Sequence, residues 1–134
     1  MSLRCVIVDD SPGFVAAARS LLERQGLSVL GVASNSAEGA RLAAELRPDV
    51  VLVDIDLGGE SGFELARRLD QMQDTAPAPV IMISTHSEED YADLIADSPV
   101  LGFLSKTVIS ATSIRRLLGR GPDPVSSVSG LPDR

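Results

Sequence analysis

The sequence has few cysteines and few aromatic residues: its 134 residues include one cysteine, no tryptophan, one tyrosine and three phenylalanines. The single cysteine, Cys5, excludes an internal disulfide bond, and its apolar neighbours predict a packed thiol. A chain of this length buries roughly two-thirds of its unfolded surface. We therefore expect one domain that needs no disulfide bond, and a cytoplasmic location.

Basic residues are also few, with 12 Lys and Arg against 19 Asp and Glu and a net charge of −7. This excess of negative charge makes nucleic acids and anionic membranes poor partners. No apolar run reaches the roughly 18 residues of a membrane span, and the N-terminus lacks the pattern of a signal peptide. We expect a protein that binds neither a membrane nor, by itself, a nucleic acid.

Short β-branched runs alternate with helical patterns, which predicts βαβ units and a doubly wound α/β fold with a parallel sheet. The predicted strands cover 3–8, 27–33, 50–54, 80–84 and 100–104. Helices are predicted after the N-cap Ser11 up to Gly26, and at 36–47, 62–73, 87–97 and 108–118. From residue 119 the chain is rich in Gly, Pro and Ser without periodicity. We expect a domain over 1–118 and a flexible tail or linker over 119–134.

Polar residues follow the predicted strands at the points where the strands end. The carboxyl ends of parallel strands meet at one rim of the sheet, which is where ligands bind in open α/β folds. The residues expected at this rim are Asp9, Asp10, Asp54, Asp56, Ser84, Thr85, His86, Ser105 and Lys106.

Asp54 and Lys106 are the hardest of these to explain as ordinary surface charges. Asp54 follows four aliphatic residues of a strand that we expect to be covered on both faces, where an unpaired carboxylate is costly. Lys106 is the only lysine beside 11 arginines, and a compact ammonium suits a point-charge contact with phosphate. The pair Asp9-Asp10 has an alternative role, because acidic residues also suit the positive end of the first helix.

Four motifs resemble those of response regulator receiver domains of bacterial two-component signalling. They are Val-Asp9-Asp10-Ser, Val-Asp54-Ile-Asp56-Leu followed by Gly62, Ile-Met-Ile-Ser84, and Gly102-Phe103-Leu-Ser-Lys106. The resemblance covers about residues 3–118. It implies the flavodoxin-like receiver fold, a (βα)5 sandwich with a five-stranded parallel sheet of order 2-1-3-4-5 and helices on both faces.

The resemblance also implies a magnesium site at the rim. Asp10 and Asp54 would bind Mg²⁺ directly, together with the backbone carbonyl of Asp56, and Asp9 would act mainly through water. Hard carboxylate oxygens without a nearby thiolate or imidazole cluster suit Mg²⁺. Two carboxylates about 4 Å apart repel by roughly 4 kcal/mol at an effective dielectric of 20, and a divalent cation relieves this repulsion.

By the same resemblance, Asp54 is the phosphoryl acceptor, Lys106 neutralises the transferring group, and the donor is a sensor histidine kinase or a phosphotransfer protein. The domain would catalyse only its own phosphorylation and dephosphorylation, as a switch in a phosphorelay and not a metabolic enzyme. Ser84 and Phe103 would relay the switch to helix four, strand five and helix five. A downstream protein, or a second copy in a homodimer, would bind this output face. The alternative for Phe103 is a simple core residue.

The resemblance assigns the phosphoryl lifetime to Asp56, Thr85 and His86, whose side chains would border the approach of water. Three positions depart from the family pattern. Thr107 follows the lysine where Pro is common, Gly58 stands where Pro is frequent, and Thr85 replaces a small Ala or Gly. The loops that carry these residues are therefore expected to differ from the usual ones.

Three other functions stay open at this point. Haloacid-dehalogenase-like phosphatases have a similar order of nucleophile, general acid, hydroxyl and lysine, here Asp54, Asp56, Ser84 and Lys106. Gly58 departs from that motif, and the late acidic pair of that family is missing. The chain is alternatively the receiver half of a DNA-binding transcriptional regulator, with 119–134 as the interdomain linker. The third alternative is a role that does not depend on phosphate.

Overall fold

Five short strands form one parallel sheet. The computed structural model describes residues 3–72 and 78–119. The strands are β1 (Arg4–Val8), β2 (Ser28–Ala33), β3 (Val50–Asp54), β4 (Val80–Ser84) and β5 (Gly102–Ser105). The sheet order is β2-β1-β3-β4-β5. The predicted doubly wound fold and its strand order are confirmed.

Helices cover both faces of this sheet. They are α1 (Pro12–Arg24), α2 (Ser36–Leu46), α3 (Gly62–Gln71), α4 (Ala92–Ala96) and α5 (Ala111–Gly119), with short 3₁₀ helices at Glu88–Tyr91 and Lys106–Val108. Within the two described ranges, no helix has both the length and the apolar character that crossing a membrane requires.

The buried residues form two clusters that the central strands divide. In β3, Val51 and Val53 face the cluster built by α2 and α3, whereas Val50 and Leu52 face the cluster built by α1 and α5. All five residues of β3 and all five of β4 are buried. A continuous aliphatic run is what a parallel strand covered on both faces requires, so β3 holds its terminal residue, Asp54, at the edge of a rigid core.

The helix predicted over 87–97 is interrupted. The structure has a 3₁₀ helix at Glu88–Tyr91 followed by the five-residue α4, and neither segment buries a residue. Short helices depend on tertiary packing for their stability. Tyr91 and Ile95 pack only partly buried against the cluster built by α2 and α3, so the segment has little tertiary support for a longer regular α-helix.

The last helix begins later than predicted, at Ala111 instead of residue 108. The cause is a reciprocal cap: Ser113 N–H donates to Ser110 Oγ at 3.0 Å, and Ser110 N–H donates to Ser113 Oγ at 2.9 Å. Such a cap fixes the first turn of a helix. Gly119, which we assigned to the tail, is the last residue of α5. The rest of the predicted tail, residues 120–134, lies outside the described residues.

Candidate functional site

Three carboxylates meet at the carboxyl ends of β1 and β3. One ligand oxygen from each of Asp9, Asp10 and Asp54 lies within 4.8 Å of the other two. Asp9 and Asp54 are buried, whereas Asp10 is exposed. The two central strands thus bring together acidic residues that are 44 positions apart in the chain, as the sequence predicted.

Lys106 closes the cluster from the end of β5. Its Nζ lies 2.7 Å from Asp9 Oδ2 and 3.2 Å from Asp54 Oδ2, and its side chain is 10% exposed. Burial by itself lowers the pKa of Lys106, but the attraction of Asp9 and Asp54 outweighs burial, so the pKa is raised above its usual value. The lysine is held as a cation between two carboxylates.

Burial raises the pKa of Asp54 above that of an ordinary carboxyl group. The backbone N–H of Asp56, which donates to Asp54 Oδ1 at 3.2 Å, opposes this shift, while the negative charge of Asp9 adds to it. Lys106 lowers the pKa of Asp54 but does not cancel the rise. One ammonium faces the three carboxylates of Asp9, Asp10 and Asp54, and this excess of negative charge leaves the site favourable for a further cation.

Asp9 performs two roles at once. Its Oδ1 accepts the backbone N–H of Ser11 at 2.8 Å, so Asp9 does serve the start of α1, as the alternative interpretation of the acidic pair required. Its Oδ2 is buried, and the Lys106 ammonium 2.7 Å away is the cation that compensates this oxygen. The donor set, three carboxylates without nitrogen or sulfur, fits Mg²⁺.

The carboxylate of Asp56 is not part of this cluster. Asp56 is exposed, and its Oδ1 accepts the backbone N–H of Gly58 at 3.1 Å. Among the four predicted metal-binding aspartates, Asp56 is the one whose side chain lies apart. Its contribution through the backbone carbonyl stays a prediction.

The predicted switch residues lie on β4 and β5: Ser84 ends β4, and Phe103 is the second residue of β5. Ser84 is 4% exposed, and its Oγ accepts the backbone N–H of His86 at 3.0 Å. Thr85 and His86 are exposed, and the His86 ring meets Tyr91 edge-on with centroids 6.1 Å apart. Phe103 is 9% exposed and packs in the cluster formed by α2 and α3. Its burial agrees with the alternative of a core residue, and its part in the switch stays a prediction.

Two residues near the cluster were not predicted as site residues. Phe14 lies in the first turn of α1, and Lys106 Nζ lies over its ring. Gly58 was noted as a departure from a family pattern, but a Cβ at this position would lie 2.6 Å from Asp10 Oδ2. Both contacts join distant parts of the chain, and no local pattern indicates them. The adjacent glycines at 58 and 59 indicate a turn, and both have positive φ values, but they do not indicate which residue the turn contacts.

Comparison with known proteins agrees with the resemblance to receiver domains. The family model of the response regulator receiver domain matches residues 5–118. The protein PilH of Pseudomonas aeruginosa is 41% identical over 86 residues, which are 64% of this chain and 70% of PilH. The DNA-binding transcriptional activator EvgA of Escherichia coli is 28% identical over 104 residues, 78% of this chain and 50% of EvgA. The chain thus spans about half the length of EvgA.

Solved structures show the same similarity. The signal receiver domain of NarL from Mycobacterium tuberculosis superposes with a TM-score of 0.77 at 27% identity, covering 89% of this chain and 98% of that one. The response regulator domain of CheB from Thermotoga maritima gives a TM-score of 0.68 at 29% identity, covering 90% and 91%. On its sequence, its sheet order and its acidic cluster, the chain belongs to the response regulator receiver domain family.

Proposed function

We propose that this chain is a phosphorylation-activated signalling switch, which accepts a phosphoryl group on Asp54 from a sensor histidine kinase or a phosphotransfer protein. The observation that carries the proposal is the contact of one buried lysine with both Asp9 and Asp54, beside the third carboxylate of Asp10. This arrangement holds a nucleophile, its counter-charge and a cation site within one cluster.

The chemistry is a phosphoryl transfer between two side chains. An Asp54 carboxylate oxygen attacks phosphorus in line, the new bond is an acyl phosphate, and the bond from phosphorus to the histidine nitrogen of the donor breaks. Lys106 remains protonated and neutralises charge on the transferring group. Asp10 and Asp54 would hold Mg²⁺, and the bound cation would supply further neutralisation. The chain modifies itself and turns over no other substrate, so it acts as a switch and not as an enzyme.

The response to phosphorylation is assigned to Ser84 and Phe103. The Ser84 hydroxyl leaves the backbone N–H of His86 for a phosphate oxygen, which shifts the balance between two conformations of the loop that follows β4. The output face is formed by α4, β5 and α5. Leu94 of α4 is exposed, as is Val108 at the end of the 3₁₀ helix that follows β5. The 3₁₀ helix before α4 and α4 with its C-cap carry the acidic residues Glu88, Glu89, Asp90, Asp93 and Asp97. A downstream protein with basic residues, or a second copy of the chain, fits this face.

The test is incubation with acetyl phosphate and Mg²⁺ followed by mass spectrometry of proteolytic peptides. We expect one phosphoryl group per chain, base-labile and located on the peptide that contains Asp54. The same preparation is then assayed with p-nitrophenyl phosphate, where we expect no catalytic turnover. Multiple turnovers would instead identify a haloacid-dehalogenase-like phosphatase. The absence of any adduct would refute the proposal.

A second candidate is the receiver half of a DNA-binding regulator. The observation in its favour is that EvgA, named as a DNA-binding transcriptional activator, is matched over only half of its length. The described residues belong to the receiver fold alone, so DNA binding in this case requires a segment outside them. The natural open reading frame decides this: a helix-turn-helix downstream of residue 134 supports the second candidate.

The lifetime of the phosphoryl group is a testable consequence of the residues around Asp54. We expect Asp56→Ala to slow the loss of phosphate. Gly58 N–H holds only Oδ1 of the exposed Asp56 carboxylate, and the other oxygen is available to orient water. We expect His86→Ala to change the rate of this loss, measured at about pH 6 to 8, because the exposed His86 ring follows the switch hydroxyl of Ser84. Thr85→Ala tests whether the methyl group narrows access. Phosphate release measured across this range is the assay. Rates within about twofold of the wild type, roughly 0.4 kcal/mol, would show that these side chains do not control the water.

A substitution at Gly58 tests the cation site without replacing any of the carboxylates that would bind the cation. Gly58→Ala places a methyl carbon 2.6 Å from Asp10 Oδ2, so the carboxylate must move. We expect Mg²⁺ affinity to fall by about tenfold, as for loss of support to a metal ligand. Gly59→Ala is the matched control. Gly58 and Gly59 have φ values of +64° and +100°, so both substitutions strain the loop, but a Cβ at Gly59 meets nothing within 4 Å. Equal losses of Mg²⁺ affinity in titrations of the two variants would contradict the role of Asp10.

A further inference from the structure

Lys106 contacts an aromatic ring in addition to the two carboxylates. Its Nζ lies over the ring of Phe14, 4.3 Å from the ring centroid. The same Nζ lies 2.7 Å from Asp9 Oδ2 and 3.2 Å from Asp54 Oδ2. The ammonium is therefore enclosed by two carboxylates and one aromatic face, and little of it is open to solvent.

The loop after β5 fixes the backbone of Lys106 but not its ammonium. Ser105 Oγ caps the short 3₁₀ helix by accepting the backbone N–H of Thr107 at 3.3 Å, and the hydroxyls of Ser105 and Thr107 lie 2.9 Å apart. These bonds lie at the base of a flexible four-carbon stem that ends in a point charge. The position of Nζ is consequently set by the groups around it.

Phe14 is well placed to set this position. It lies in the first turn of α1, and the start of α1 is tied to Asp9 by the hydrogen bond from Ser11 N–H to Asp9 Oδ1, 2.8 Å long. The ring and one of the two carboxylates thus belong to the same anchored segment. An aromatic face attracts a cation, and the attraction is largest where water is excluded. The ring also occupies space from which water would otherwise solvate the ammonium.

We propose that Phe14 is a positioning residue for Lys106: its ring holds the ammonium at the Asp54 carboxylate, ready to neutralise the phosphoryl group. This inference rests on the proposed function, since it gives Phe14 a part in the transfer to Asp54. Phe14 acts only through Lys106. The competing explanation is apolar packing, because Phe14 also packs against the cluster formed by α1 and α5.

The contact itself is measurable by NMR because Lys106 is the only lysine in the chain. Isotope-labelled lysine gives a single set of ε-methylene resonances. We expect these resonances upfield of their position in free lysine, since the ring current of Phe14 acts on the group above its face. Phe14→Leu should move them toward the free position, whereas Phe14→Tyr, which keeps the aromatic face, should leave them upfield.

The role in transfer is measured by the rate of adduct formation with acetyl phosphate and Mg²⁺. We expect Phe14→Leu to slow the reaction about tenfold, and Phe14→Tyr to stay within about twofold of the wild type. Leu117→Ala is the control for packing. Leu117 packs against the same cluster as Phe14. It lies beside Gly102 at the start of β5, the end opposite to Lys106.

The outcomes separate the two explanations. The positioning role is supported if Phe14→Leu is labelled more slowly and shifts the lysine resonances, while Leu117→Ala is labelled at a near-normal rate. Equal slowing in Phe14→Leu and Leu117→Ala assigns Phe14 to packing and overturns the inference, as does a lysine resonance that Phe14→Leu leaves unmoved. If the wild type forms no adduct, the proposed function fails and the role in transfer fails with it. If the wild type forms the adduct and Phe14→Leu forms it at the same rate, only the inference about Phe14 is refuted, and the proposed function stands.

Discussion

Asp54→Asn is expected to abolish the phosphoryl adduct, while Asp56→Asn retains it. The two aspartates are two residues apart, but only the Asp54 carboxylate lies in the cluster and contacts Lys106. The amide in Asp54→Asn would keep the shape of the side chain without its nucleophilic oxygen. The Asp56 carboxylate accepts a hydrogen bond from Gly58 N–H outside the cluster. Phosphoryl label counted per chain by mass spectrometry distinguishes the two variants, and label surviving in Asp54→Asn would refute the assignment of the acceptor.

In the absence of Mg²⁺, Asp54→Asn is expected to stabilise the fold. Unfolding therefore does not explain a loss of label in this variant. The pKa of Asp54 is raised in the folded chain by burial. Between the ordinary carboxyl pKa, near 3.9, and the raised value, the folded state binds more protons than the unfolded state. The contribution of Asp54 to the free energy of unfolding therefore falls as pH rises through this window. Above the window the ionised Asp54 opposes folding, and a neutral amide removes this effect.

Thermal unfolding in EDTA checks the expectation. Asp54→Asn should melt at a higher temperature than the wild type at pH 7, and the difference should shrink as pH falls into the range where the wild-type Asp54 takes up its proton. Asp49→Asn is a contrasting variant, because Arg4 lowers the pKa of Asp49. Ionised Asp49 favours folding, so its replacement should not stabilise the protein. A lower melting temperature for Asp54→Asn at pH 7 would contradict the electrostatic argument.

The strands were predictable because each has a local cause. A continuous aliphatic run such as Val50-Val51-Leu52-Val53 suits a strand covered on both faces, and β3 and β4 have their predicted bounds. The polar residues that follow such runs necessarily lie at the same rim of a parallel sheet. The meeting of Asp9, Asp10 and Asp54 was predictable for the same reason. The order of the strands came from the resemblance, since periodicity does not determine which strands are neighbours.

The misplaced helix ends have two different causes. The cap between Ser110 and Ser113 was visible in the sequence, because a serine followed three residues later by a side chain able to accept a hydrogen bond is a cap pattern. The break in the acidic segment was not visible, since it depends on how little of Glu88–Tyr91 and α4 packs against the sheet. Helical periodicity reports which residues share a face, but not whether that face is covered.

Contacts between distant side chains account for the rest of what was missed. Phe14 and Lys106 are separated by 92 residues, and Gly58 and Asp10 by 48. Each contact depends on side-chain rotamers and loop conformation after the strands are assembled. A resemblance transfers the charged residues of a family motif, because they stand at fixed strand ends. It does not transfer the neighbours that hold those residues in place.

Gly62→Ala is expected to destabilise the fold by about 3 kcal/mol, the upper part of the usual range for overpacking. Gly62 is the first residue of α3, and its N–H donates to the carbonyl of Ile55 at 2.8 Å. A Cβ here would overlap the backbone carbonyl oxygen of Asp54 and would lie 3.0 Å from Met82 Cε. The methionine can move, but the carbonyl belongs to a buried strand. The first turn of α3 must therefore shift, or β3 must distort.

Gly13→Ala is the matched control for this substitution. Gly13 also lies in the first turn of a helix, α1, but a Cβ there meets nothing within 4 Å. Alanine at this position should stabilise the chain by up to about 1 kcal/mol, because it has the higher helix propensity. Denaturant unfolding with a common m-value measures both changes. A loss below about 1 kcal/mol in Gly62→Ala would show that α3 moves away without strain. The glycine eight residues after the acceptor would then not be required by close packing against the backbone of Asp54.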